Sequence, residues 1–217
     1  MHRIRIFSTL LIAGPLLAVA GCNTAPSLPM PPPSYVSNLP IVPAYMHAEV
    51  IGGSAARLRR ARAAGIRPLA ANAVADYANR LETELRRQTA GTGVDVIRSG
   101  DRILLRLPAA FTFDVGSSTI KPQAVSTVSE VGLTLKNFNQ TLVDVLGHTD
   151  ATGTPAANQA LSEKRAQAVA ANLRARGVSQ ARTATRGYGA THPIGDNVSE
   201  TGRALNRRVE IRLVPLR

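Results

Sequence analysis

The hydrophobic positions after residue 91 follow the period of a strand in some segments and the period of a helix in others. Apolar residues at every second position are typical of strands, whereas a spacing of three or four is typical of helices. The strand-like runs lie at 94–97, 102–108, 141–147, 182–189 and 207–213. The first two are joined by Ser99-Gly100-Asp101, which predicts a hairpin.

Two helices are predicted between these strands. Proline suits the first turn of a helix, and helical spacing follows both Pro122 and Pro155. The apolar positions after Pro122 are Val125, Val128, Val131, Leu135 and Phe138. The helix after Pro155 runs to about Arg176 and ends at Gly177. The order strand, helix, strand, helix, strand, strand predicts an α/β sandwich, with helices packed on a sheet.

Residues 47–90 form a separate helical segment that is rich in Ala and Arg. Its clearest helix starts at Asn72, a capping residue type, and ends at Gly91. One face of this helix carries Val74, Tyr77, Leu81, Leu85 and Gln88. We expect this face to pack on the next domain or on a partner helix. The basic stretch 54–65 is typical of a solvated helix face, with contact to lipid phosphates or glycan as the alternative.

The N-terminus reads as an export signal. Arg3 and Arg5 precede an apolar run without charges, and small residues lead to Cys22, the only cysteine. The junction Val19-Ala20-Gly21-Cys22 resembles the bacterial lipobox. We therefore predict a lipoprotein signal peptide at 1–21 and acylation of Cys22, which would hold the protein at a membrane. An ordinary cleaved signal is the alternative.

A proline-rich stretch follows the signal. Seven prolines lie between residues 23 and 46, and proline removes backbone donors and fixes φ. We predict an extended, disordered tether at 22–46. Asn23 follows Cys22 where an Asp would resemble an inner-membrane retention signal, so the sequence favours the outer membrane.

The charge and cysteine content narrow the function classes. The formal net charge is +12, which on its own fits nucleic acid or an anionic surface. The export signal argues against nucleic acid. With one cysteine, no disulfide forms within the chain, so the exported domain depends on its core.

A carboxylate and a guanidinium are predicted to meet at the end of the sheet. Asp150 follows the strand 141–147, and Asn158, Leu161 and Arg165 share one face of the next helix. Ligands of open α/β sheets bind beyond the carboxyl ends of strands. A zwitterionic amino-acid head would pair its ammonium with Asp150 and its carboxylate with Arg165. The alternative is an internal Asp150–Arg165 salt bridge.

The segment GHTDATGTPAANQALSEKRAQAV, with RALNRRVEIRL downstream, closely resembles the OmpA-like peptidoglycan-associating domain family. The resemblance covers about 105–217 and implies a βαβαββ fold with helices on a mixed sheet, in a domain at 91–217. It implies that Asp150 and Arg165 clamp the diaminopimelate of the peptidoglycan stem peptide. Thr149, Asn158, Leu161, Asn206 and Arg207 match neighbouring contact positions. The upstream segment 73–122 is similar to lipoproteins of the YiaD type.

The export signal, the proline-rich tether and the family resemblance together imply a non-enzymatic outer-membrane lipoprotein. Such a protein would face the periplasm and tether the membrane to the wall. A second hypothesis is an accessory subunit of a cell-envelope machine that recruits an envelope protein through 47–90. A zinc enzyme is disfavoured because His148, Asp150 and His192 lack a tight ligand pattern. Ser117 and Ser118 do not stand in the G-x-S-x-G pattern that is typical of a nucleophilic serine. A flagellar-stator component would need a membrane span with an acidic residue inside it. This class is disfavoured because the apolar run contains no Asp or Glu. No metal or cofactor is expected.

Overall fold

The computed structural model describes residues 44–217. The predicted signal peptide, Cys22 and most of the predicted tether lie outside the described residues. Within 44–217, no helix combines the length and the apolar character that a membrane crossing requires.

Five strands form one mixed sheet. They are β1 (Asp95–Ser99), β2 (Arg102–Pro108), β3 (Thr141–His148), β4 (Thr183–Gly187) and β5 (Arg208–Pro215). Their order across the sheet is β1-β2-β5-β3-β4. Strands β1 and β2 form the predicted antiparallel hairpin, and β5 is antiparallel to both β2 and β3. Only β3 and β4 are parallel, which requires the crossover helix between them.

Six α-helices accompany the sheet. They are α1 (Ser54–Ala63), α2 (Val74–Thr89), α3 (Ala109–Thr112), α4 (Pro122–Asn137), α5 (Pro155–Ala175) and α6 (Glu200–Asn206). Helices α4 and α5 begin with proline, as predicted. The hydroxyl of Thr154 caps α5 by accepting a hydrogen bond from the Ala157 amide over 3.2 Å. Gly177 follows α5 at a φ of 94°, which favours glycine.

Helices α2, α4 and α5 cover one face of the sheet. Their buried side chains include Tyr77, Leu81, Leu85, Val128, Leu135, Val169 and Leu173. They pack on Leu105, Val143 and Ile211 from the three central strands. Full burial of each large apolar side chain contributes about 1.5–3 kcal/mol, so this layer is the main source of stability. It also fixes α5, the helix that carries Arg165, against β3.

The segment around α1 covers the other face. A smaller apolar cluster joins Val50, Ala61, Ile66, Leu142 and Leu216. Arg57 is fully buried beside it. Its guanidinium donates to Asp144 Oδ1 and to the backbone carbonyl of Arg182. Arg212 donates to the other oxygen of Asp144 over 2.7 Å. The expectation of a solvated or lipid-facing α1 is therefore wrong for Arg57, which pairs with the sheet.

Two glycines let α5 approach the sheet closely. Gly147 on β3 and Gly187 on β4 are paired neighbours. A Cβ on Gly147 would lie 2.0 Å from the carbonyl oxygen of Ser162, and a Cβ on Gly187 would lie 2.4 Å from Ser162 Oγ. No larger residue fits at either position without moving α5. The separation between the end of β3 and the face of α5 is set here.

The predicted fold class is confirmed: from β2 onward the main elements run βαβαββ. Three details differ. Asn72 does not cap α2, which begins at Val74 without a side-chain cap. Packed structure begins before residue 47, since Ala44–His47 form a 3-10 helix and the Met46 carbonyl accepts a hydrogen bond from Arg102. The tether predicted to residue 46 is too long by these residues. Helix α6 was not predicted.

Candidate functional site

Asp150 lies two residues beyond the end of β3, where the sequence places it. Its Oδ1 accepts the Thr152 amide over 2.9 Å, and its Oδ2 accepts Nη1 of Arg207 over 2.7 Å. Burial alone would raise the pKa of Asp150, but the hydrogen bonds from Arg207 and Thr152 lower it below its ordinary value. The group is therefore a carboxylate at neutral pH.

Arg165 projects from α5 and is 4% exposed. Its Nε donates to the Ser117 carbonyl over 2.8 Å, and the guanidinium lies 5.0 Å from the centre of the Phe113 ring. Within residues 44–217, no carboxylate lies within salt-bridge distance of Arg165, so the internal Asp150–Arg165 salt bridge does not form. Burial lowers the pKa of Arg165, and the charge of Arg207 lowers it further. A buried guanidinium without an acidic partner favours an anionic ligand.

Arg207 joins two acids. Its Nη1 pairs with Asp150 and its Nη2 pairs with Glu200, the first residue of α6. Glu200 also accepts Nε of Arg203 over 3.0 Å. The sequence does not predict Glu200 and Arg203 as site residues, although Ser199 before Glu200 is a residue type that often caps the start of a helix. Ser199 does cap α6 by accepting from the Gly202 amide.

The other predicted residues on α5 and directly after β3 lie around the loop that carries Asp150. Asn158 Nδ2 donates to the carbonyls of Asp150, over 3.2 Å, and of Thr152, over 3.0 Å. Asn158 therefore braces the loop that presents the carboxylate. Leu161 and Thr149 contribute to the wall of a cavity. The Thr149 amide donates to the Gly189 carbonyl over 2.9 Å, which fixes the start of the loop.

Asn206 plays a different part from the one its motif implies. It is fully buried and does not line the cavity. Its Oδ1 accepts the amides of Ile194 and Gly195, and its Nδ2 donates to Asn197 Oδ1 over 3.0 Å. Asn197 Oδ1 in turn accepts the Ala151 amide over 3.1 Å. Asn206 thus positions the loop beside Asp150 rather than facing a ligand.

A cavity of about 690 Å³ contains these groups, a size typical of ligand sites. Its wall is made of Ala109, Ala110, Phe113, Asp114, Val115, Gly116, Thr149, Asp150, Thr152, Asn158, Leu161, Arg165, Glu200, Arg203 and Arg207. The wall contains both acidic groups, which are Asp114, Asp150 and Glu200, and basic groups, which are Arg165, Arg203 and Arg207. The arrangement fits a ligand that carries both charges, and Arg165 offers a two-donor grip for its carboxylate.

The histidines weighed as metal ligands lie elsewhere. The ring of His148 lies 5.4 Å from that of Tyr188 and 6.4 Å from that of His192, outside the cavity wall. In the part of the chain that the structure describes, no group of three or more His, Cys, Asp or Glu is placed to hold a metal ion.

The sequence profile of the OmpA family matches residues 112–207, which include Asp150, Arg165 and Arg207. Over these residues the chain is similar to the OmpA family. The chain is 45% identical over 140 residues to the probable lipoprotein YiaD of Escherichia coli (strain K12), a match that covers 64% of each protein. The chain therefore spans less than two thirds of that relative.

Two further proteins are similar to this chain over much the same region. The peptidoglycan-associated lipoprotein of Pseudomonas aeruginosa is 38% identical over 112 residues, which cover 52% of this chain and 66% of that protein. The solved structure of the cell wall anchor of the T6SS from Pseudomonas aeruginosa superimposes with a TM-score of 0.55 at 29% identity, and the match covers 60% of this chain and 96% of that one.

Proposed function

We propose that this protein is a non-enzymatic outer-membrane lipoprotein that binds peptidoglycan non-covalently through the diaminopimelate of the stem peptide. Binding would tether the outer membrane to the cell wall. The observation that carries the proposal is Arg165, a buried cation with no acidic partner among the described residues, on the wall of an open cavity. A ligand carboxylate supplies the missing charge.

Diaminopimelate carries an ammonium and a carboxylate on its free end. Its carboxylate binds Arg165, and its ammonium binds Asp150. Asp150 already accepts hydrogen bonds from Arg207 and Thr152. A carboxylate has about four lone-pair sites, so Asp150 accepts the ammonium as well. Arg207 then holds the carboxylate in place while the ligand is bound.

Anchorage at the membrane rests on the predicted acylation of Cys22 and on the predicted tether. Relatives named as a probable lipoprotein and a peptidoglycan-associated lipoprotein support this part of the proposal. The domain would face the periplasm, with peptidoglycan as its partner. The tether would supply the reach from the membrane surface to the wall.

The similarity to the T6SS cell wall anchor favours one second candidate, an accessory subunit that fixes an envelope machine to the wall. The apolar face of α2 and the Arg57 side chain are already used within the chain. A protein partner would bind the exposed charged face of α2, which carries Arg80 and Arg86, or the exposed arginines of α1, which are Arg59, Arg60 and Arg62. Crosslinking from residues 50–90 tests this candidate: a specific protein adduct supports it.

The main proposal is tested by pull-down with purified peptidoglycan. Full-length protein in detergent is compared with Asp150→Ala and with Glu163→Gln, a change on α5 outside the cavity wall. We expect wild type and Glu163→Gln to co-sediment and Asp150→Ala to remain in the supernatant. Equal sedimentation of all three proteins would contradict the proposal.

A further inference from the structure

Few large hydrophobic side chains are exposed in the described part of the chain. Within residues 44–217 they are Val115, at 104% exposure, Val198, at 90%, and Leu133, at 41%. Single exposed apolar residues are ordinary, and their position decides whether they carry meaning. Val115 lines the cavity that contains Asp150 and Arg165, and Val198 lies beside the cavity wall, where its carbonyl accepts a hydrogen bond from Arg203.

Val115 lies at the Arg165 end of the cavity. It lines the cavity wall and belongs to the turn that runs from Asp114 to Ser117. The Ser117 carbonyl accepts Nε of Arg165, and the Asp114 carbonyl accepts its Nη2 over 3.4 Å. The turn that positions the guanidinium therefore also presents Val115 to solvent.

Val198 lies at the Asp150 end. Its carbonyl accepts Nη1 of Arg203, a residue of the cavity wall, over 2.6 Å. Its amide donates to Asp196 Oδ1 over 3.0 Å. The preceding residue, Asn197, accepts the amide next to Asp150. The backbone of Val198 is thus held by the site, and its side chain is left in water.

We propose that Val115 and Val198 form an apolar rim that contacts the stem peptide on either side of the bound diaminopimelate head. This inference rests on the proposed function and extends it from the charged head to its neighbours. The groups next to that head in the polymer belong to the adjoining residues of the stem peptide, among them the methyl group of the adjoining alanine. The occupant is the same polymer because Val115 lines the cavity and Val198 lies next to Arg203 on its wall. The turns that carry the valines also hold Arg165 and the loop of Asp150.

The rim gives selectivity for polymer over free amino acid. Free diaminopimelate fills the charged clamp but lacks the adjoining residues of the stem peptide. Peptidoglycan covers both, so it gains affinity from apolar area that the free amino acid does not bury. Loss of one valine should weaken peptidoglycan binding by about three- to ten-fold and leave free diaminopimelate unaffected.

The test compares Val115→Asn, Val198→Asn and their double variant with Leu133→Asn, a matched change of an exposed apolar residue away from the cavity. Each full-length protein is titrated with purified peptidoglycan by co-sedimentation and with free diaminopimelate by NMR. We expect the valine variants to lose peptidoglycan affinity and to keep wild-type affinity for diaminopimelate. Leu133→Asn should match wild type in both titrations.

Three results overturn the inference: unchanged peptidoglycan binding in the double valine variant, equal losses in Leu133→Asn, or equal losses for the free amino acid. Asp150→Ala, run beside them, reports on the clamp. If Asp150→Ala keeps both affinities, the proposed function fails. If it loses both while the valine variants lose neither, only the rim fails.

Discussion

Arg207, and not Arg165, is the partner of Asp150: its Nη1 lies 2.7 Å from Oδ2 of the carboxylate. Arg207 keeps a second acidic partner in Glu200. Removing Asp150 therefore leaves Arg207 with a carboxylate partner. Stability and ligand binding are separable at this site, and the following predictions use that separation.

Asp150→Ala should weaken peptidoglycan binding by about ten- to a hundred-fold, because a hydrogen bond to a charged group contributes roughly 1.5–3 kcal/mol. The melting temperature should change little, since Arg207 remains paired with Glu200. Co-sedimentation and thermal unfolding of the same preparation measure both. If binding persists while the melting temperature falls, Asp150 serves the scaffold and the site assignment is wrong.

Arg165→Lys should bind as poorly as Arg165→Ala. A lysine ammonium is a point charge and cannot reproduce a planar two-donor grip on a carboxylate. Neither variant should be less stable than wild type by more than about 1 kcal/mol, because Arg165 is a buried cation without an acidic partner. Binding isotherms measure the affinity of each variant for peptidoglycan, and urea unfolding measures its free energy of unfolding. Wild-type affinity in the lysine variant would exclude a bidentate contact.

Arg57→Ala should destabilise the protein by about 1–3 kcal/mol, because it leaves Asp144 Oδ1 and the Arg182 carbonyl without their buried donor while Arg212 still pairs with Asp144. Arg59→Ala, on the exposed side of the same helix, is the matched control and should change stability by less than about 0.5 kcal/mol. Urea unfolding gives both values. Similar stabilities for the two variants would show that α1 contributes little through Arg57.

The contribution of Asp150 to stability should be independent of pH above about pH 5. Its folded pKa is lowered by Arg207 and Thr152 despite burial, so the unfolded chain binds the proton more tightly. The stabilisation is present above the unfolded pKa, about 3.9, and is lost as the pH falls through the lower folded value. The difference in unfolding free energy between wild type and Asp150→Asn, measured from pH 8 to pH 3, should shrink only below about pH 4. A difference that disappears between pH 7 and pH 5 would contradict this protonation state.

Cys22→Ser should accumulate as unacylated precursor with its signal peptide attached. Acylation at a lipobox precedes cleavage, and serine cannot form the thioether. Metabolic labelling with palmitate and the apparent mass of the protein in cells provide the readout. Normal processing of the serine variant would indicate an ordinary signal peptidase site.

The sequence predicts the layers of this fold because they depend on local periodicity. The apolar positions of α2, α4 and β5 are visible within a few turns of chain. Most of them become buried as expected, whereas Val125 and Phe138 are half-buried. Arg57 could not be found in this way. It stands in a run of arginines that looks solvated, and its partner Asp144 lies 87 residues away on a strand that otherwise reads as apolar.

The sequence predicts Asp150 and Arg165 at the centre of the candidate site, but it does not predict Glu200 at the edge of the site. Asp150 and Arg165 are separated by one loop and half a helix, so local spacing places both. Glu200, the second acidic partner of Arg207, is not predicted because its helix, α6, has only seven residues and no apolar stripe. Asn206 was interpreted as a ligand contact from its place in a motif, whereas a motif cannot show that the side chain is turned inward onto 194–197.

The ion pair between α1 and the sheet has a mechanical consequence. Arg57 holds the N-terminal segment to Asp144, and β3 continues from Asp144 to the loop of Asp150. If the chain is pulled from its N-terminal side while the wall holds the loop, part of the load passes from Arg57 along this strand. Another part passes to β2 and β5 through Arg102 and Arg212, which donate to the carbonyls of Met46 and Glu49. The strand β3 is hydrogen-bonded to β4 and β5 on its two sides, so it must shear against both before it yields.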